Sequence, residues 1–94
     1  MILATAQAGE GMAVYTAPWC PACQTAKADL DADPSLTGGR RLEVIDVEQQ
    51  PEVARQRGVR TLPTFVIVTE SGREVRRLAG YPGRVKFREW SQRP

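Results

Sequence analysis

The sequence predicts one α/β domain, a four-stranded mixed sheet with helices on both faces, built in the order β-α-β-α-β-β-α. Three observations predict it. Short apolar runs rich in strand-forming residues recur at Met12–Thr16, Leu42–Val47 and Phe65–Thr69. Pro21 and Pro51 stand where helices between those runs would open, since proline costs no hydrogen bond at a first helical position. The third run is followed at once by Glu70-Ser71-Gly72 and a further run, Arg73 to Leu78, which reads as a hairpin. Strands joined through a helix lie parallel by a right-handed crossover, whereas hairpin strands are antiparallel, so the sheet is mixed.

Taken in order, residues 1–11 end in Gly9-Glu10-Gly11 and read as a lead-in. Met12–Thr16 is a buried strand broken by Ala17-Pro18. A helix starts at Cys20, with Ala22, Ala26 and Leu30 as its inward stripe and Gln24, Lys27 and Asp31 outside. Asp33-Pro34 and then Gly38-Gly39 end it. Leu42–Val47 is the second strand. Pro51 opens a short helix over Glu52–Arg57, closed by Gly58. Phe65–Thr69 pairs with Arg73–Leu78, which carries Val75 near its middle. A last helix, Arg84–Ser91, puts Val85 or Phe87, together with Trp90, against the sheet. Residues 1–94 form a single domain with no repeat or linker.

Composition narrows the chemistry. A hydrophobic fraction of 41% and a charged fraction of 26% are ordinary for a globular domain. A net charge of +2, with Lys and Arg scattered, points away from nucleic acid. No apolar run reaches the roughly 18 residues that span a bilayer, so the protein is expected to be soluble. The chain has two cysteines and no histidine. A four-ligand Cys/His zinc site and a Ser-His-Asp or Cys-His pair therefore cannot be assembled from it. Ala6-Gln7-Ala8 has the shape of a signal-peptidase site, but a basic leader and a full apolar stretch do not precede it. The expected compartment is the cytoplasm, or the periplasm for a trimmed exported form.

Cys20 and Cys23, in Trp19-Cys20-Pro21-Ala22-Cys23, are three positions apart. Closing so short a loop removes little unfolded-chain entropy, so the pair makes a poor staple and reads as chemistry. The attacking species in disulfide exchange is the thiolate, and a free cysteine has a pKa near ~8.5. A helix N-terminus surrounds Cys20 with unpaired N–H groups and the positive end of the helix dipole, which favour the anion. Cys20, exposed at the helix tip, is thus the expected nucleophile, and Cys23, more shielded, the resolving thiol. Pro21 and Ala22 between them tune the potential.

The segment Val14-Tyr15-Thr16-Ala17-Pro18-Trp19-Cys20-Pro21-Ala22-Cys23 resembles the active-site strand and turn of thioredoxins and glutaredoxins. Gly58-Val59-Arg60-Thr61-Leu62-Pro63-Thr64-Phe65-Val66 is similar to the cis-proline segment of thioredoxins, Asp46 to Pro51 to the end of their middle strand, and Gly80-Tyr81 to a glycine that shapes their substrate groove. The resemblance implies a minimal thioredoxin-like fold in which Pro63 is cis and lies beside the cysteines. It implies that Leu62 offers its backbone to an extended substrate, that Trp19 is a partly exposed platform, and that Gly80 helps form the groove. It also marks departures. Val14 and Val44 stand where thioredoxins carry a buried aspartate and its lysine, which leaves Lys27 and Glu48 as candidates to receive the Cys23 proton. Ala17 and Gly80-Tyr81-Pro82-Gly83-Arg84 stand where glutaredoxins hold glutathione, which counts against glutathione as a cofactor. Gly80–Gly83 with Phe87 and Trp90 is similar to small bacterial thioredoxin-like proteins.

The expected function is thiol–disulfide oxidoreduction on protein disulfides, by a monomer reset by a further redox partner. The redox group is the Cys20–Cys23 pair itself, with no metal or nucleotide required. Rival readings are a glutathione-coupled glutaredoxin, an idle thioredoxin-fold binding module, and an iron–sulfur carrier bridged through Cys20.

Overall fold

The structure is a computed structural model that describes residues 9–93; Ala6-Gln7-Ala8 lies outside the described residues. Its central strand, β1 (Gly11–Thr16), is buried at every position. The reason is its place in the sheet: β1 pairs in parallel with β2 (Arg41–Asp46) and antiparallel with β3 (Thr64–Val68), and β3 pairs antiparallel with β4 (Glu74–Ala79). The strand order is β2-β1-β3-β4. The chain order β-α-β-α-β-β-α holds, with α1 (Pro21–Ala32), α2 (Pro51–Gln56) and α3 (Arg84–Ser91) as the α-helices among the described residues.

Alternation along β1 sends its side chains to two cores. Met12 and Val14 pack with Ala26 and Leu30 of α1, Phe65 and Ile67 of β3, and Phe87 and Trp90 of α3. Ala13 and Tyr15 pack on the other face with Ile45, Val66 and Ala54 of α2. Helices therefore cover both faces. The first core is aromatic at its centre: Phe65 and Phe87 meet edge-on with centroids 4.6 Å apart, and Trp90 lies 5.5 Å from Phe87.

Several sequence expectations shift. Gly11 belongs to β1 rather than to the lead-in, because its backbone pairs with both Arg41 and Val68. The inward stripe of α1 is Cys23, Ala26 and Leu30, and Ala22 is exposed; Cys20 caps the helix, and that cap turns Cys23 inward. A 3₁₀ turn at Pro34–Thr37, not expected from the sequence, buries Leu36 in the first core. The strand bounds move by a residue, and Val75 is a bulge rather than a strand centre: Ile67 pairs with Arg76 and Val68 with Glu74, which leaves Val75 unpaired and 44% exposed. On α3 it is Phe87 that faces the sheet; Val85 is exposed.

Candidate active site

The site grows from the end of β1. After Thr16 the chain turns through Ala17-Pro18-Trp19, and the Cys20 N–H closes that turn on the Ala17 carbonyl at 3.2 Å. Gln24 Nε2 donates to the Pro18 carbonyl at 2.8 Å and ties the turn to α1. Cys20 is the N-cap, with extended dihedrals (φ −91°, ψ 109°), and Pro21 follows in the first turn. The Cys23 backbone N–H donates to Cys20 Sγ at 3.2 Å. A sulfur in this position replaces the capping oxygen of a serine or aspartate, and negative charge on it is favoured by the same N–H and by the helix dipole.

Cys20 and Cys23 are joined as a disulfide, their Cα atoms 5.2 Å apart. The expectation of an exposed Cys20 is corrected: Cys20 is 5% and Cys23 2% exposed. Ala17, Val47 and Leu62 close over the pair and bury both cysteines. The exposed residues of the motif are Trp19, at 63%, and Pro21 and Ala22. The Trp19 indole N–H donates to the Glu48 carboxylate. Glu48, a candidate proton acceptor by sequence, thus accepts from Trp19 through one oxygen.

A second wall comes from residues forty positions further on. The Leu62–Pro63 peptide is cis, and Pro63 is fully buried. Leu62 packs against Ala17, Cys20 and Cys23. Its N–H and C=O have no hydrogen-bond partner among the described residues. The Pro63 carbonyl accepts the Gly80 N–H at 2.7 Å. Gly80 has φ +85°, which disfavours any residue with a Cβ. The following Tyr81 hydroxyl donates to Asp29 of α1 at 2.6 Å, and burial, aided by that carboxylate, pushes the phenol well above its usual range. Trp19, Cys20, Cys23, Leu62, Pro63 and Gly80 are therefore brought to one end of the sheet, with exposed Ala22 and Pro21 at the helix tip.

The opposite side of the disulfide is different. A cleft of about 340 Å³ reaches Cys23 between α1 and β2, lined by Thr16, Pro18, Gln24, Lys27, Val44 and Asp46. Asp46 was not singled out by sequence. It pairs in register with Thr16, the last residue of β1, and only that pairing places it there. Lys27, which sequence did raise, lines the same cleft. Val14 is enclosed in the first core, 1% exposed, and supplies no polar group to the site.

Among the described residues, no group of three or more His, Cys, Asp or Glu side chains lies close enough to hold a metal, and no helix is long and apolar enough to cross a membrane. The thioredoxin-like domain model matches residues 1–93. Thioredoxin H2 of Arabidopsis thaliana is 30% identical over 66 residues, which covers 70% of this chain and 49% of that protein; the chain spans about half of that relative's length. The crystal structure of Fasciola hepatica thioredoxin superposes with a TM-score of 0.75 at 28% identity, covering 87% of this chain and 77% of that one. Thioredoxin NaTrxh of Nicotiana alata gives 0.77 at 23% identity over 94% of this chain and 76% of its own, a likeness of fold alone. With a capped cysteine pair at the first strand-to-helix turn and a cis-proline wall beside it, the chain belongs to the thioredoxin-like family.

Proposed function

We propose that the protein is a thiol–disulfide oxidoreductase that reduces protein disulfides through Cys20 and Cys23. One observation carries this reading: the disulfide caps α1 directly beside Leu62, whose backbone N–H and C=O are unpaired within the described chain. Those two groups suit an extended peptide that adds to them as a strand and so presents its disulfide to Cys20. The likeness to proteins named thioredoxins supports the same reading.

The reaction starts from the reduced dithiol. Cys20 Sγ, as thiolate, attacks one sulfur of the substrate disulfide; the substrate S–S bond breaks and its electron pair leaves on the other sulfur. A mixed disulfide to Cys20 results. Cys23, as thiolate, then attacks Cys20 Sγ; the bond from Cys20 to substrate breaks, and the Cys20–Cys23 bond forms. Two electrons have passed from protein to substrate, and both substrate sulfurs take up protons. An external dithiol resets the pair.

Insulin reduction with dithiothreitol as the reductant tests the reading. Wild type is expected to accelerate the reaction, Cys20→Ser to be inert, and Cys23→Ser to accumulate a mixed disulfide with substrate. Acceleration by Cys20→Ser equal to wild type, or none by wild type, would overturn it. Glutathione-dependent activity retained by Cys23→Ser would replace it with the glutaredoxin reading.

A further inference from the structure

Resting on the oxidoreductase reading above, we propose that the Cys23 thiol loses its proton through the cleft between α1 and β2 to the carboxylate of Asp46. Cys23 must become a thiolate to release substrate, yet it is 2% exposed. On the side of Leu62 its surroundings are Ala17, Val47 and Leu62, which offer a proton no acceptor. A substrate held by Cys20 covers that side further. The cleft brings polar side chains to Cys23: its volume of about 340 Å³ has room for several waters, and Thr16, Gln24, Lys27 and Asp46 line it with Cys23.

Asp46 is built for the part. Its Oδ1 accepts the Glu48 N–H at 2.8 Å, which fixes the carboxylate at the end of β2. Its Oδ2 has no hydrogen-bond donor among the described residues and remains to accept from water. The other groups around Cys23 are accounted for. Lys27, one turn along α1, lines the cleft and favours the Cys23 thiolate by its charge. Thr16, Pro18, Gln24 and Val44 do not titrate, and Glu48, whose carboxylate accepts the Trp19 indole N–H, does not line the cleft.

The proton passes from Cys23 Sγ through water to Asp46 Oδ2 and on to solvent, while the freed electron pair on Cys23 attacks Cys20 Sγ and expels the substrate thiolate. A carboxylate is a far weaker base than a thiolate and holds a thiol proton only in passing. Asp46 therefore matters most where few Cys23 thiols ionise unaided, at pH 6–7, and matters less as pH rises and more of them ionise alone.

The test follows single-turnover decay of a mixed disulfide between Cys20 and a peptide thiol across pH 6–9.5. Asp46→Asn keeps an oxygen for the Glu48 N–H but cannot take a proton. It is expected to slow decay about 10-fold or more at pH 6.5, the low end of general-base effects because bulk water competes. The slowing should shrink toward pH 9.5, and Asp46→Glu should restore part of the rate. Mixed-disulfide formation, read in Cys23→Ser with and without Asp46→Asn, should be equal. An unchanged or faster decay in Asp46→Asn at pH 6.5 overturns the proposal, as does an equal loss at every pH, which marks a structural defect. If wild type forms no mixed disulfide at all, the oxidoreductase reading itself fails; if it forms one that Asp46→Asn resolves normally, only the proton route fails.

Discussion

Gly80→Ala separates backbone conformation from space at the edge of the site. Gly80 has φ +85°, and a Cβ built there meets no atom within 4 Å. The substitution therefore creates no clash, and its whole cost is the conformation, about 1–2 kcal/mol for an L-residue held at positive φ. Gly39 provides the control: φ +84° and the same open space, but at the end of the 3₁₀ turn region rather than beside Pro63. Urea unfolding should show both variants less stable by that same amount, a fall in melting temperature of about 4–8 °C for each kcal/mol in a domain of this size. Their kinetics should part. The Gly80 N–H holds the Pro63 carbonyl at 2.7 Å, so relaxation of the strained backbone moves the wall beside the disulfide. Gly80→Ala should raise KM for insulin several-fold with little change in kcat, and Gly39→Ala should leave both unchanged. If Gly80→Ala costs under about 0.3 kcal/mol, the positive φ is not needed there. Equal kinetics in the two variants would remove Gly80 from the binding wall.

Two further predictions concern the frame that holds the site. Phe87→Ala should cost about 3–5 kcal/mol, because a fully buried ring packed against Phe65, Tyr81 and Trp90 is removed, while Val85→Ala, at an exposed position, should stay within about 0.5 kcal/mol; chemical denaturation of both measures the contrast, and comparable losses would contradict the packing described. The Ser35 hydroxyl and the Arg88 guanidinium hold the Asp33 carboxyl below its ordinary range. A depressed folded-state pKa stabilises above the unfolded value of about 3.9, and that stabilisation is lost as pH falls through the folded value. The stability gap between wild type and Asp33→Asn should accordingly be present at pH 7 and close toward pH 2, and a gap independent of pH would show that the charge of Asp33 is not what matters.

How much of this could be read in advance depended on how local the signal was. The order of elements was legible because prolines and glycines punctuate it: Pro21 and Pro51 each stand in the first turn of a helix, and Gly58 and Gly72 turn at positive φ. The cysteine pair was legible because its chemistry lies within one helical turn. The burial of Cys20 was not, because it comes from Val47 and Leu62, brought from two other parts of the chain. Residue chemistry alone did not place Pro63 beside the cysteines; resemblance to a family did. Neither route gave Asp46 a role in the site, and its place beside the cleft follows from its pairing with Thr16 across two parallel strands. The Val75 bulge was hidden for a related reason: its pattern continues a strand, and only the shift of register between β3 and β4 turns it out.

If the protein exchanges disulfides as proposed, the two faces of the Cys20–Cys23 pair divide the reaction between them. A disulfide exchange needs an apolar, close-fitting surface where sulfurs meet, since water there would compete with the incoming peptide for the Leu62 backbone groups. It also needs a polar exit for one proton, and no single surface serves both demands. On the proposed reading the wall of Leu62, Pro63 and Gly80 serves the first, and the cleft holding Lys27 and Asp46 the second. The cleft is open because β2 is an edge strand among the described residues, with Val44 46% exposed beside it. A carboxylate set at the end of that edge, as Asp46 is, lines a cleft open to water, whereas the position of Val14 is enclosed in the first core. The absence of an acid at Val14 and the presence of one at Asp46 are on this account one arrangement: the proton acceptor lies where an open sheet edge already admits solvent.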